Sequence, residues 1–491
     1  MGSKKSKSLN VLFVSVEVSP FAKVGGLADV AGSLPKALVE RGHQVTIMMP
    51  AYKMVLDDPR WKIETIAEKI PVSMNPFWTV NAWVKETWLE NVRVLLIGGD
   101  EFFQKSVSND TIYYPGVEQY LFFSQALLAV SDRLELAPHV VHLNDWHTGL
   151  IPALMREKVK GHWNEVGTVF TIHNLAYQGE FGFEILDELE LPHRLYNMHQ
   201  LETWGRVNFL KAGCVFSDQV NTVSPNYAQE IQTPAYGCAL DGLMRHLWAE
   251  GRLSGILNGI DIDFFNPSTD PAIPTHFSSQ DLSGKQACKD GLRKELGLAD
   301  IDAPLFGVVS RLSSQKGLDH VVAMANRFPK LPAQLIVQGL GDPWLAQELT
   351  KLSKKHPEHI RFVQKFDADL AQRVYAGCDG FLMPSAFEPC GLGQMIAMRY
   401  GTVPVVRKTG GLADTIFDGE NGFVFEEGTP VELYATVHRA VDAYRDKTLW
   451  KKLMLAGMEI DLTWTKSAMD YEGVYYRAVE ARKLDLAAAA S

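Results

Sequence analysis

Val11-Leu12-Phe13-Val14-Ser15-Val16-Glu17-Val18, followed by Lys23-Val24-Gly25-Gly26-Leu27-Ala28-Asp29, is the stretch on which the reading of the fold turns. A short β-branched run, a glycine pair and an amphipathic segment from Leu27 make one strand–turn–helix unit. The N-terminus of a helix exposes unpaired N–H groups and the positive end of its peptide dipoles, so such a turn favours anions, phosphates above all. Alone, a Gly-Gly turn more often just relieves a tight backbone. The same grammar returns near the other end, where 380–384 leads into Phe387-Glu388-Pro389-Cys390-Gly391-Leu392 and a further helix. The pair reads as two halves of one site for a phosphorylated ligand.

Outward from the first unit, short apolar runs at 45–49, 92–97, 140–143, 168–172 and 220–223 alternate with longer amphipathic segments. This is the rhythm of a parallel sheet covered by helices on both faces. It pauses at Asn258-Gly259-Ile260-Asp261 and the Pro- and Asp-rich stretch from Asn266 to Pro274, where an interdomain hinge is expected. A second set follows at 305–309, 334–337, 360–363, 380–383, 403–406 and 423–425. The expected class is α/β, with two doubly wound Rossmann-like domains facing across a cleft. The divisions read from the chain are 1–262, 263–464 and a final helix at 465–491; the aromatic pattern of the helix-like segment from Trp464 to Ala481 (Trp464, Tyr471, Tyr475, Tyr476) alone suits a helix capping the second domain.

Bulk properties narrow the chemistry. At 491 residues the chain exceeds a single ordinary core. Its formal net charge of −10 repels nucleic acid and anionic membranes, so neither is an expected partner and any anionic ligand must meet a local basic patch. The five cysteines, Cys214, Cys238, Cys288, Cys378 and Cys390, are odd in number and contain no CxxC pair, which argues against a disulfide framework or a structural zinc site. A reducing, cytoplasmic setting is expected, or a plastid stroma if a transit peptide has been removed. Lys4, Lys5 and Lys7 precede an apolar run that soon meets Glu17, which reads as a tail entering a strand and not as a signal peptide.

Several strand ends carry candidate chemistry. Ser310-Arg311-Leu312-Ser313-Ser314-Gln315-Lys316-Gly317-Leu318 follows the run 305–309; Arg311 supplies a guanidinium fork and Lys316 a point charge for phosphate oxygens, whereas elsewhere such a pair is commonly a solvated turn. His142-Leu143-Asn144-Asp145-Trp146-His147 follows another strand and has two readings. An H-x-x-D-x-H cluster suits a divalent metal, but His173 and the other histidines lack ligand spacing, so no metal is expected. Glu388 before a glycine-rich helix start either accepts hydrogen bonds from ligand hydroxyls or caps the helix. Cys390 reads as a small packing group more than a nucleophile. Thr409-Gly410-Gly411-Leu412 echoes the first turn and is expected to add backbone donors to phosphate. Gly339-Leu340-Gly341-Asp342 lacks the third glycine of a dinucleotide fingerprint, and neither a P-loop nor a G-x-S-x-G elbow is present. Phe77, Trp78, Trp83 and Trp88 offer either a sugar-stacking surface or, for most of them, core packing.

Together these motifs, with Ile172-His173-Asn174-Leu175-Ala176-Tyr177-Gln178-Gly179, Thr222-Val223-Ser224-Pro225, Tyr236-Gly237 through Asp241-Gly242 and Asn258 to Asp261, resemble the bacterial and plant glycogen and starch synthases almost end to end. The resemblance implies a retaining glucosyltransferase of GT-B fold that moves glucose from ADP-glucose to the non-reducing end of an α-1,4-glucan (glycogen, starch or maltooligosaccharide), with no cofactor or metal. Carried over, it implies that Lys23, Gly25 and Gly26 meet the donor, His147 contacts the transferred glucose, Arg311 and Lys316 stabilise the leaving diphosphate, and Glu388 with Cys390, Gly391 and Leu392 holds glucose hydroxyls. Asn258 would lie near the donor glucose, Phe366 would stack on adenine where relatives often carry Tyr, and Thr409 and Gly410 would face phosphate. It also implies that the last helix crosses back to the N-terminal domain.

The chain departs from the family pattern at Ala386, where Arg is usual, at Gly393, where Thr or Ile is common, and in Tyr114-Pro115-Gly116-Val117-Glu118-Gln119-Tyr120, which lacks the usual Asp-Asn and Arg. These changes bear on the local cleft wall and on acceptor recognition. Two other readings stay open at this stage. One is a sucrose- or trehalose-type transferase with a small acceptor; the other is a glucan-binding scaffold without catalysis, against which the joint presence of Lys23, His147, Arg311, Lys316 and Glu388 argues.

Overall fold

A computed structural model describes residues 7–99, 102–159 and 161–490. Lys4 and Lys5 of the opening basic cluster lie outside the described residues. The chain divides into two compact units, one drawn from Met1–Val223, Ala228–Asn258 and Trp464–Ser491, the other from Ser224–Tyr227 and Gly259–Thr463.

The strands of the first unit are β1 (Asn10–Val14), β2 (Gln44–Pro50), β3 (Glu64–Asn75), β4 (Trp78–Leu89), β5 (Val92–Gly99), β6 (Val140–Asn144), β7 (Gly167–Ile172), β8 (Glu180–Phe181), β9 (Glu202–Thr203), β10 (Arg206–Asn208), β11 (Gln219–Thr222) and β12 (Leu253–Gly255). Nine of them form one sheet in the order β12-β11-β7-β6-β1-β2-β5-β4-β3, and β8, β10 and β9 make a small separate sheet. From β12 to β5 all pairings are parallel. Strands β6 and β7 are buried at every position, as a parallel sheet covered on both faces requires. In register, Val14 lies beside Leu143 and Leu143 beside Phe170, so the loops after β1, β6 and β7 leave from one edge of the sheet. The carboxyl ends of parallel strands are where doubly wound sheets bind ligands.

The antiparallel extension β5-β4-β3 has no counterpart in the expected pattern, and it reverses the core-packing expectation for three of four aromatics. Phe77 at the hairpin tip is 98% exposed, Trp78 40% and Trp88 51%. An antiparallel ribbon presents one face to water, so alternate side chains of β4 point outward. Trp83 is partly buried; a Cβ on Gly98 would collide with its ring.

The second unit carries β13 (Leu305–Val309), β14 (Gln334–Gln338), β15 (Ile360–Val363), β16 (Gly380–Met383), β17 (Val403–Arg407) and β18 (Phe423–Phe425), in the order β15-β14-β13-β16-β17-β18. Every pairing is parallel. Period-two alternation builds two cores: Phe306, Val308, Leu335 and Val337 pack with Val321, Phe328 and Leu349, while Leu305 and Ile336 pack with Leu292, Leu370 and Val374.

The change of unit falls at Asn258/Gly259 and at Thr463/Trp464, whereas the sequence pattern puts it after 262 and after 464. The physical reason is a contact between stretches far apart in the chain. Ile260 N donates to Leu462 O at 2.9 Å, tying the outgoing chain to the returning one within the second unit. The last helix, Trp464–Ala490, belongs to the first unit. There Tyr475 Oη meets His142 Nδ1 at 2.8 Å and Asn221 Nδ2 donates to Tyr471 Oη at 3.1 Å, all four groups buried. Its aromatic pattern, suited by itself to a cap on the second domain, is satisfied by the first sheet instead. Among the described residues, no helix is long and apolar enough to cross a membrane.

Candidate active site

In the first unit, the turn after β1 delivers the helix Gly26–Glu40, whose N-cap Gly25 has extended backbone and no side-chain cap. Two N–H groups of this turn, that of Gly25 among them, are already engaged. Val24 N and Gly25 N donate to Glu17 Oε2 at 2.6 and 2.8 Å. Lys23 is held at both ends: its N–H donates to Asn109 Oδ1 at 2.8 Å, and its ammonium pairs with Asp29 Oδ1 at 2.6 Å. That pair is partly exposed and is worth little to stability. Its effect is to aim Lys23 along the first helical turn.

Glu17 is 4% exposed and has no cation partner among the described residues; its other oxygen accepts from the Tyr113 hydroxyl. Burial raises the Tyr113 phenol well above its ordinary value, which keeps it a donor. The Tyr113 ring stacks on His147 at 5.0 Å, and Trp146 stacks on the same imidazole at 3.9 Å. His147 is 6% exposed, and desolvation lowers its pKa to about 3. It is therefore a neutral hydrogen-bonding group at ordinary pH, and its Nδ1 has no protein partner. A continuous path thus runs from the Lys23 turn through Glu17 and Tyr113 to His147. Sequence reading singled out neither Glu17 nor Tyr113. The one signal for Glu17 was a carboxylate inside an otherwise apolar run.

Glu17→Ala is expected to raise the KM for the donor about tenfold, because two amides and a phenol lose their common acceptor. Glu17→Gln, which keeps an oxygen for the amides and an N–H₂ for Tyr113, should recover most of it. Steady-state kinetics of both variants would check this, and equal KM values in Glu17→Ala and wild type would remove the positioning role.

The remaining members of the H-x-x-D-x-H stretch disperse. His142 points to the last helix and to Thr171 Oγ1 at 2.6 Å. Asp145 sits at φ 58°, ψ 175°, a region nearly reserved for glycine. It is retained there by the His173 N–H, which donates to Asp145 Oδ1 at 2.8 Å. Burial pushes its carboxyl up to about 7. His173 Nε2 lies 2.9 Å from Asn144 Oδ1, and Asn144 Nδ2 donates to Val14 O at 2.9 Å, so three strand ends are laced together. Among the described residues no group of three or more His, Cys, Asp or Glu is placed to hold a metal ion. Asn258, where the chain leaves the first unit for Gly259 of the second, is buried with Oδ1 unpartnered.

In the second unit, β13 leads through Arg311 to the single turn Ser314–Lys316 and then to Gly317, φ +68°. A Cβ on Gly317 would collide with Pro384 O, so only glycine lets this turn lie against the end of β16. The close approach joins two motifs far apart in sequence. Lys316 Nζ donates to Glu388 Oε1 at 2.8 Å and Oε2 at 2.6 Å, and Ser385 Oγ donates to Oε2 at 2.9 Å. Glu388 is buried and both its oxygens are occupied. Arg311 is exposed, and its guanidinium has no ion pair among the described residues.

The Thr409-Gly410-Gly411 turn backs this loop. A Cβ on Gly410 would collide with Glu388 O, and one on Gly411 with Cys390 O. Gly411 N donates to Glu388 O at 3.1 Å and Leu412 N to Thr409 O at 3.0 Å. Of the backbone donors in this turn, these two are therefore spent inside the protein. Cys390 is buried, and Gln394 Nε2 bonds Cys390 O and Gly391 O at 3.1 and 2.8 Å, clamping the turn whose Gly391 is at φ +74° before Leu392. Phe366, after β15, is 81% exposed, a free aromatic face. At Ala386, where the family pattern has Arg, the Arg407 guanidinium from the end of β17 donates to the Ala386 carbonyl. A cation reaches this backbone from another strand.

Comparison with known proteins bears on what this arrangement is. Residues 10–246 match the family model described as the starch synthase catalytic domain, and 293–451 match glycosyl transferases group 1. A glycogen synthase of Anaeromyxobacter sp. is 42% identical over 95% of this chain and 99% of its own length. One from Syntrophotalea carbinolica is 43% identical over 96% and 99%. The catalytic domain of starch synthase IV from Arabidopsis thaliana, solved with ADP and acarbose, has TM-score 0.90 at 32% identity, covering 96% of this chain and all of that one. A sucrose-phosphate synthase from Thermosynechococcus elongatus, at 19% identity and TM-score 0.61, shares the fold alone. With its two Rossmann-like units of GT-B type and near full-length identity above 40% to glycogen synthases, the chain belongs to the glycogen and starch synthase family of glucosyltransferases.

Proposed function

We propose that the protein transfers glucose from ADP-glucose to the non-reducing 4-hydroxyl of an α-1,4-glucan, with retention at the anomeric carbon and without a metal. The observation that carries this reading is the Lys316–Glu388 pair, a cation fixed by a buried carboxylate at the carboxyl edge of the second sheet. Breaking the bond from C1 to the diphosphate oxygen leaves negative charge on the diphosphate, and fixed cations lower the barrier most where that charge develops. Arg311 and Lys316 take this role, and Lys23 with the Gly25-Gly26 turn is assigned to donor binding. His147, neutral and walled by Tyr113 and Trp146, orients a glucose hydroxyl by hydrogen bonding.

Glu388 is a poor nucleophile, since Lys316 and Ser385 already occupy both its oxygens. The reading therefore takes the front-face course. The acceptor oxygen bonds to C1 on the side the diphosphate leaves, and the acceptor proton passes to the departing phosphate oxygen. Phe366 is assigned to the adenine face and Asn258 to the donor glucose. The Arabidopsis starch synthase IV domain holds ADP and acarbose in its solved structure, and its 32% identity over 96% of this chain supports the same nucleotide here. A cytoplasmic or plastid-stroma setting is consistent with Cys214, Cys238, Cys288, Cys378 and Cys390 all being free.

Radiolabelled glucose incorporation into glycogen and maltooligosaccharides, run with ADP-glucose and UDP-glucose in EDTA, tests the proposal. Transfer chiefly from ADP-glucose is expected. Absence of transfer from either donor would overturn it, and transfer only to a small sugar acceptor would favour the sucrose- or trehalose-type alternative.

A further inference from the structure

We propose that the cavity beneath the β9–β10 hairpin is a subsite for a sugar ring of the glucan acceptor away from the reacting end, with the Trp204 indole as its stacking platform. This rests on the glucan synthase reading above. Strands β9 and β10 pair Thr203 with Arg206, leaving a two-residue loop of Trp204 and Gly205. Both are left-handed, at φ +51° and +75°, the conformation of a type I′ turn. Glycine, Asn or Asp usually fills its first position, because a bulky side chain is strained there. Trp204 is nevertheless 83% exposed, so packing within the fold does not compensate the strain. A large aromatic held out of the core on a strained turn points to a ligand outside the fold.

The cavity, about 530 Å³, is lined by Gln178, Glu180, Thr203, Trp204, Arg206 and Cys238 among others. Its polar groups are held in place. Arg206 donates to Glu180 O at 2.8 Å, Gln178 Nε2 donates to Cys238 O at 2.8 Å, and Asn208 Nδ2 donates to Gln178 Oε1 at 2.5 Å. Thr203 is 8% exposed and its hydroxyl has no protein partner. A second strained segment, Cys238 at φ +46° and Ala239 at φ +65°, also lines the cavity. A flat indole beside a fixed amide, a fixed guanidinium and an exposed carboxylate matches the chemistry of a pyranose, which has an apolar C–H face and a rim of hydroxyls.

The cavity adjoins the His147 wall. A Cβ on Gly179 would collide with the Trp146 ring, and Trp146 stacks on His147 at 3.9 Å. One aromatic layer therefore separates the cavity from the group assigned to the transferred glucose. A chain whose end reacts near His147 would extend past this layer, and binding there acts alike on ground and transition states, favouring longer acceptors.

The test compares wild type, Trp204→Ala and Trp204→Asn in the full chain, with maltose and maltoheptaose as acceptors and ADP-glucose as donor. The ratio of kcat/KM for maltoheptaose over maltose is expected to fall about tenfold in both variants. Trp204→Asn suits the left-handed turn, so its Tm should match or exceed that of wild type while the ratio still falls; a purely structural Trp204 would instead lower Tm. An unchanged ratio in both variants would overturn the subsite. If wild type transfers glucose to neither acceptor, the glucan synthase reading itself fails, and titration calorimetry with maltoheptaose then decides the cavity alone: equal affinity in wild type and Trp204→Ala would overturn it.

Discussion

Lys316→Ala is expected to lower kcat for glucose transfer by roughly 10³-fold, with a much smaller change in KM for the donor. A preorganised donor aimed at charge that develops in the transition state is worth about 10²–10³ in kcat, and a full cation lies at the upper end of that range. Preorganisation is visible in the structure: Gly317 lets the turn sit against Pro384, and Glu388 receives the ammonium on both oxygens. The variant has a second effect, because buried Glu388 retains only Ser385 as a side-chain donor. Leaving a mostly buried carboxylate unpaired costs about 2–3 kcal/mol, so Tm should drop as well.

The two effects separate in Lys316→Ala combined with Glu388→Gln. Removing the unpaired charge should restore most of the Tm and none of the turnover. If Lys316→Ala alone keeps kcat within about tenfold of wild type, the leaving-group role of Lys316 is wrong.

Gly410→Ala should be nearly as damaging although it changes no reactive group. Gly410 is at φ +44°, and an added methyl would collide with the Glu388 carbonyl, backbone that cannot move without displacing Glu388. A shift of about 1 Å in a positioned group costs on the order of 10²-fold in rate. The expected result is a loss of about that size in kcat/KM. Gly419→Ala is the matched control: its φ is +75°, also left-handed, but nothing lies within 4 Å of the added methyl. It should cost about 1 kcal/mol of stability, with little effect on kinetics. Equal kinetic losses in the two variants would mean that backbone strain, and not the clash with the Glu388 loop, controls the outcome.

The fold was legible because its signals are local. A β-branched run such as 305–309, followed by a turn and an amphipathic helix, specifies a βα unit from neighbouring residues alone, and the parallel sheets follow from repeating that unit. The β3–β4 hairpin escaped because long ribbons with one wet face carry mixed polarity, and its aromatics mimic a core pattern while Phe77 and Trp88 stand in solvent. The boundary at Asn258/Gly259 escaped because it depends on a hydrogen bond between Ile260 and Leu462, which no local pattern encodes.

At the candidate site the division is the same. Which residue types stand at the strand ends is written in the chain itself: the Lys23 glycine turn, His147, the Arg311 to Lys316 cations, Glu388 and the second glycine turn at Gly410. Composition and local periodicity suffice for that, since strand, turn and helix preferences act over a few residues. What those groups are free to do was settled by folding. It gave the amides of Val24 and Gly25 to Glu17, linked Glu17 across 96 residues to Tyr113 and so to His147, and closed Lys316 onto Glu388 across 72. Hydrogen bonds, burial and the neutral state of His147 are set by groups far away in the chain, and those become neighbours only when the sheets have formed.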